Sequence, residues 1–200
     1  MAEWSIAPVL NTGDPQGSVS SNLTASASLS TERQTHRVSP SLQAVRLSGA
    51  LAAALFIGLA GYLAPLEPGV IALQFAFTPR AFGSIVHAWP AEHLARYRAH
   101  LPVDMLLLTA YGSFGWLLAT RTALFARCRA GLRRAAAWAL PLAAFFDAIE
   151  NGLHGWLTAA PRFGMPAVYA AAATASTLKW MLLLGFAAAV AYAMLGDADG

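Results

Sequence analysis

The sequence predicts an all-α protein: a four-helix transmembrane bundle with an interfacial helical segment between spans one and two and a disordered N-terminal tail. Composition is the first reason, because 57% of the 200 residues are hydrophobic and only 12% are charged, whereas soluble domains carry about 25% charged residues. Length is the second reason, since a helix needs about 20 apolar residues to cross a hydrocarbon core of roughly 30 Å. Four segments of suitable length are residues 47–66, 103–120, 135–158 and 166–195.

The first 40 residues differ in composition from the rest of the chain. They are rich in Ser and Thr, poor in bulky apolar residues and without helical or strand periodicity. Such a segment cannot bury enough apolar surface to offset the entropy cost of ordering. We therefore predict a disordered tail over residues 1–40 and a membrane domain over residues 41–200.

The first span contains no charged residue and is rich in small ones, including Gly49, Gly58 and Gly61. Small residues let helices approach closely in lipid, so this span is a candidate surface for a homodimer. Pro65 and Pro68 follow it, and proline does not continue a helix.

The connection over residues 67–102 is too long for a simple turn. Thr78 followed by Pro79 predicts a helix N-terminus, with a short helix over Ala81–Trp89. Pro90 then breaks that helix, and a second one with a basic side begins at Ala91–His100. Short amphipathic basic helices lie in the membrane interface. The alternative is a small cap packed over the bundle.

The third span carries an unusual polar face. Asp147, Glu150, Asn151 and His154 follow one another at i, i+3, i+4 and i+7, so a helix places all four on one side. Polar side chains inside a membrane face protein or water, because exposing them to lipid costs several kcal/mol. This face is therefore expected to line the interior of the bundle.

Spans two and four add polar groups at overlapping depths. Counting 1.5 Å per residue from each predicted membrane boundary, Asp104 is level with His154, and Tyr111 is level with Asp147. Lys179 lies near the middle of span four. The sequence predicts one polar pocket open to the outer side and lined by Asp104, Tyr111, Asp147, Glu150, Asn151, His154 and Lys179.

Three functions are compatible with such a pocket. The first is acid/base chemistry on, or binding of, a lipid-like or other apolar small molecule. Two carboxylates crowded at i and i+3 supply an acid and a base. In this interpretation the catalytic residues are Asp147, Glu150, His154 and Tyr111. The substrate-binding residues are Asp104, Asn151 and Lys179.

The second function is a proton- or cation-coupled carrier subunit, and the third is a structural protein whose intramembrane charges pair with one another. The inner halves of the spans offer little polar material for a second gate, which favours an enzyme or a binder over a carrier. Whether the protein is an enzyme stays open at this point.

The sequence gives no reason to expect a cofactor, a metal ion or nucleic acid. Glu150 and His154 are one helical turn apart and suit several divalent ions, but a single intramembrane histidine is a weak signal. Cys128 is the only cysteine, which excludes a disulfide framework. A net charge of +3 spread over loops is not the footprint of a nucleic-acid-binding protein. The lipid bilayer is the predicted partner.

Charge also predicts topology. Five arginines lie between spans two and three, over residues 121–134, and positively charged loops stay in the cytoplasm. Both termini are then cytoplasmic, which agrees with Arg33, Arg37 and Arg46 before span one. We expect a multi-pass protein of the cell inner membrane.

The motifs LQFAFTPRAFGSIVHAW and FFDAIENGL, together with the run from Arg98 to Tyr111, resemble small, uncharacterised bacterial four-span integral membrane proteins with a D-x-x-E-N motif in span three. The likeness covers roughly residues 71–157. It implies a fold and no activity.

Overall fold

Six helices make up the part of the chain that the computed structural model describes, residues 40–160 and 162–198. No strand occurs in these ranges. The predicted disordered tail, apart from Pro40, lies outside the described residues, as do Arg33 and Arg37. The helices are α1 Pro40–Leu63, α2 Val70–Gln74, α3 Pro79–Ala88, α4 Ala91–Arg121, α5 Ala130–Ala159 and α6 Pro166–Ala198.

Three of these helices are long and apolar enough to cross a membrane. They cover Ser41–Leu63, Ala91–Arg121 and Pro166–Leu195, which correspond to α1, α4 and α6. Helix α5 is 30 residues long, but it is not one of these three candidate spans. The chain therefore has the helices of an integral membrane protein, and a fourth span at α5 remains a prediction.

The long helices pack in sequence order, with α1 against α4, α4 against α5, and α5 against α6. Glycines on α4 lie directly against α5. A Cβ atom at Gly115 would lie 2.5 Å from Cβ of Leu140 on α5, and one at Gly112 would lie 3.2 Å from Cβ of Ala144. Helix α5 therefore lies between α4 and α6, with its polar face inside the protein.

The predicted start of the short helix after span one is confirmed. Thr78 Oγ1 accepts a hydrogen bond of 3.1 Å from the backbone N–H of Ala81, and proline occupies the first helical position. The apolar side of α3 is buried, with Phe82 in a cluster that includes Leu157 of α5 and Tyr169 of α6. Helix α3 thus packs over the end of the bundle.

The predicted boundary between a basic helix and span two is wrong. The segment from Ala91 to His100 is the first part of α4, which continues through Pro102 to Arg121. A proline removes only one backbone donor, so the carbonyl of Arg98 loses its usual partner while the flanking helix is maintained. As a result, Tyr97 and His100 belong to the same helix as Asp104 and both are buried.

Candidate functional site

A buried ion cluster joins α5 to α6. The ammonium of Lys179 donates to Asp147 Oδ1 at 3.0 Å and lies 2.6 Å from Glu150 Oε2. The second contact has the geometry of an ion pair rather than of an aligned hydrogen bond. All three residues are at most 6% exposed. An unpaired charge buried in this way would be costly, so the pairing is what allows the three groups to share the interior.

Two further hydrogen bonds join α4 to α5. Tyr111 donates its hydroxyl to Asp147 Oδ2 at 3.0 Å, so that both oxygens of this carboxylate are engaged. Asn151 donates from Nδ2 to Asp104 Oδ2 at 2.6 Å. The polar face of α5 is thus tied to both neighbouring helices, with Asp147 contacting α4 and α6 at once.

His154 takes part in a separate buried contact nearer the end of the bundle. A hydrogen bond of 2.7 Å links its Nδ1 to the hydroxyl of Tyr97, and the same nitrogen lies 3.8 Å from Glu150 Oε1. The ring is 5.4 Å from that of Phe82, centroid to centroid. The side chain of His100 is hydrogen-bonded to the backbone carbonyl of Tyr97. Helix α5 therefore connects the ion cluster to a second buried polar group.

A cavity of about 720 Å³ lies beside the ion cluster. Its polar wall comes mainly from α4 and α5, and includes Tyr97, His100, Asp104, Tyr111, Asp147, Glu150 and Asn151, with Lys179 of α6, Gln74 of α2 and Glu67 before α2. Its apolar wall comes mainly from α1, through residues such as Ala53, Phe56 and Ala60, with Leu183 and Phe186 of α6. The lining therefore combines several ionisable groups with a large apolar surface.

The structure brings six of the seven predicted pocket residues to this cavity, and His154 is the exception. His154 is 1% exposed and lies behind Glu150, so it contacts the cavity-lining residues rather than the cavity. Asp104 and Tyr111 are only partly buried. The catalytic and substrate-binding roles assigned to these residues from the sequence remain predictions.

Sequence reasoning missed Tyr97 and His100. Both were assigned to an interfacial helix because the connection was taken to extend to Pro102 and span two to begin at Val103. The signal that could have placed them is their spacing, since Tyr97, His100 and Asp104 follow one another at i, i+3 and i+7 and therefore share a helical face. Gln74 of α2 was also missed. Its Oε1 accepts from Trp180 Nε1 at 2.9 Å, which attaches α2 to α6 beside the cavity.

The described residues do not converge on a metal-binding arrangement. Among them, no three side chains of the His, Cys, Asp or Glu types are grouped so as to hold an ion. The ammonium of Lys179 already occupies the position between the carboxylates of Asp147 and Glu150. The contacts of the site are hydrogen bonds and ion pairs.

No protein-family model, no curated protein and no solved structure matches the chain. The resemblance to small bacterial four-span proteins stays a prediction from the sequence. What the site does must be inferred from its own geometry.

Proposed function

We propose that this protein is a four-span membrane protein that binds a lipid-like amphiphile in the cavity beside Lys179. The observation that carries the proposal is the composition of the cavity lining, whose polar groups come mainly from α4 and α5 and whose residues from α1 are all apolar. Ligand pockets are mostly apolar with a few polar groups that fix orientation. An amphiphile satisfies both walls at once, with its head group at the carboxylates and its chain along α1.

The aromatic residues of α5 support a fourth span. Trp138 and Trp156 are eighteen residues apart on this helix, which corresponds to roughly 27 Å along its axis. That is close to the thickness of a hydrocarbon core, and tryptophan is enriched at both interfaces. At one end Trp138 contacts Trp116, and at the other Arg162 lies over Trp156. With its polar face covered by α4 and α6, α5 can cross the membrane despite its ionisable residues.

The charges lining the cavity restrict the head group. They comprise four carboxylates and one lysine, namely Glu67, Asp104, Asp147, Glu150 and Lys179. Lys179 is already paired with Asp147 and Glu150, and no arginine is among the lining residues. A phosphate would be repelled by this wall. The fitting head group is a hydrogen-bond donor or a cation, such as a hydroxyl or an amine.

The orientation that we propose follows from the arginines between α4 and α5. If they lie in the cytoplasm, both termini do as well, and α2 and α3 face the opposite side of the inner membrane. The end of the bundle that α3 covers is then the outer end.

Native mass spectrometry of the protein purified from its membrane tests the proposal. The wild type should carry a lipid-like adduct. Ala53→Trp, which fills the cavity from α1, should lose it. Gly58→Trp is the matched control, because a Cβ at Gly58 meets nothing within 4 Å and this residue does not line the cavity; it should keep the adduct.

Substitutions in the polar wall distinguish binding from a structural role. Asp147→Asn and Glu150→Gln should each remove the adduct, and any activity, while the protein stays in the membrane. A wild type without an adduct, or Ala53→Trp with an unchanged one, would contradict binding. The charges would then serve only to hold the helices together, as intramembrane polar groups also do.

A further inference from the structure

A dense cationic surface lies at the end of the bundle where α4 gives way to α5. We call it the arginine end. It consists of five exposed arginines: Arg121, Arg127, Arg129, Arg133 and Arg134. They occupy the last turn of α4, the connecting segment and the first turns of α5. Five guanidinium groups are thus held within fourteen residues of chain.

The segment of chain that carries these arginines contains no acidic residue. Between Asp104 and Asp147 the sequence contains neither aspartate nor glutamate. Both of those carboxylates are engaged inside the bundle, by Asn151 and Lys179 respectively. The segment that carries the five arginines therefore has a net positive charge, and it attracts anions.

The connecting segment is anchored. Phe125 is fully buried and its ring lies 6.4 Å from that of Phe186 on α6. Thr122 donates its hydroxyl to the carbonyl of Leu118 at 2.6 Å, and its Oγ1 accepts from the N–H of Leu124 at 3.3 Å. The backbone that carries the arginines is thus fixed to the bundle, which lowers the entropy cost of binding.

Two tryptophans mark the depth of this surface in a bilayer. Trp116 and Trp138 make an edge-on contact with ring centroids 5.1 Å apart, and both are exposed. Trp116 is five residues before Arg121, and Trp138 is four residues after Arg134, or about 6–8 Å along each helix. Indoles prefer the boundary between head groups and acyl chains. The arginines then lie at the level of the phosphates.

Two arginines at the opposite end of the protein, Arg96 and Arg98, donate hydrogen bonds to backbone carbonyls of other helices. Arg96 donates to the carbonyl of Tyr62 at 3.1 Å, and Arg98 donates to the carbonyl of Thr158 at 2.8 Å. Both partners lie near the C-terminal end of their helix. These two guanidinium groups therefore satisfy helix termini.

From these observations we propose that the arginine end is a binding site for anionic phospholipids. Guanidinium groups bind phosphate oxygens in pairs of hydrogen bonds, and clusters of four to eight basic residues beside a membrane-spanning helix bind anionic head groups. The site does not depend on what the cavity beside Lys179 binds.

The test uses the full chain in nanodiscs of phosphatidylcholine with increasing phosphatidylglycerol, and native mass spectrometry counts the lipids retained. The wild type should retain phosphatidylglycerol in preference to phosphatidylcholine. Each arginine near the surface contributes about fivefold in binding, so Arg133→Gln/Arg134→Gln should weaken retention about 25-fold, and Arg133→Gln alone about fivefold. Raised salt should weaken retention in the wild type.

The matched control is Arg80→Gln/Arg162→Gln, which removes the same charge from the other end and should change retention less than twofold. Equal losses in both double variants would show an effect of net charge and overturn the site. A wild type without preference for phosphatidylglycerol would also overturn it. Size-exclusion profiles confirm that each variant is folded, and the single variant serves if the double one is not.

Discussion

Helices α1 and α5 differ in which side chains they bury: α1 exposes large apolar side chains, whereas α5 buries the side chains of its polar face. Residues 47–66, which contain most of α1, hold no charge, yet this helix presents large exposed side chains such as Leu47, Phe56 and Ile57. Helix α5 is the more polar of the two, and the four residues of its polar face, Asp147, Glu150, Asn151 and His154, are all at most 7% exposed. In a soluble protein the apolar helix would be inside. Here the pattern is reversed, as expected when the surroundings are lipid.

This difference shows that the polar face of α5 is the surface through which this helix contacts its neighbours. Asp147 alone contacts α4 through Tyr111 and α6 through Lys179. On α1, by contrast, Cβ atoms added at Gly58 or Gly61 would meet nothing within 4 Å. The side of α1 that contains these two glycines is open, and a homodimer through it remains a prediction.

Removing Lys179, the α6 cation of the ion cluster between α5 and α6, should give the largest loss of stability. Lys179→Met leaves two buried carboxylates without their partner, and breaking a buried ion pair in this way costs about 3–5 kcal/mol. The free energy of unfolding in detergent micelles measures it. The control is Leu184→Met on the exposed side of α6, which should leave the free energy of unfolding unchanged. Adding Asp147→Asn and Glu150→Gln to Lys179→Met should recover most of the loss.

If Lys179→Met were as stable as the wild type, the pairing would not be what keeps these groups inside. If the triple variant recovered nothing, the loss would come from packing around the lysine side chain and not from the charges.

A charge introduced on α1 should have the next largest effect. Ile57 is 70% exposed and lies near the middle of the predicted first span. Ile57→Asp places a carboxylate in lipid without a partner, which costs about 2.5–3.5 kcal/mol on insertion scales. The fraction of the protein resistant to carbonate extraction measures the effect, with Ile57→Leu as control. Equal insertion of both variants would mean that this side of α1 does not face lipid.

Replacing a glycine with alanine should have the smallest effect of the three changes. It should distinguish the packed contact between α4 and α5 from the open side of α1. Gly115→Ala brings a Cβ within 2.5 Å of Cβ of Leu140, and overpacking of this kind costs about 1–3 kcal/mol. Gly58→Ala meets open space and should not destabilise the protein. The thermal unfolding midpoints of the two variants measure this contrast. A Gly115 variant as stable as the Gly58 variant would show that α4 and α5 are less tightly packed than described.

Local features of the fold could be predicted from the sequence because neighbours along the chain determine them. The Thr78 cap depends on residues three apart, and the polar face of α5 depends on spacings of three and four. The pairing of Lys179 with a carboxylate of α5 could also be predicted, since a lysine within a predicted span has few other partners, but that it contacts both Asp147 and Glu150 could not. For these features the helical repeat is sufficient information.

The rest depends on how the helices are rotated against one another, which no local pattern determines. His154 shares a face with Asp147, yet Tyr97 and Phe82 cover it and exclude it from the cavity lining. The continuity of α4 through Pro102 was missed because a proline between a polar and an apolar segment was taken to end a helix. Here the buried side chains of Tyr97 and His100 hold the first turns in line with the rest.

The order of residues in the ion cluster has a consequence for how the protein is made. Asp147 and Glu150 are synthesised 32 and 29 residues before Lys179, so the two carboxylates leave the ribosome before their partner does. If α5 is the fourth span that we propose, this helix on its own is a poor substrate for the translocon. Helices α5 and α6 are then expected to enter the bilayer together as a hairpin, in which the lysine of α6 neutralises a carboxylate of α5.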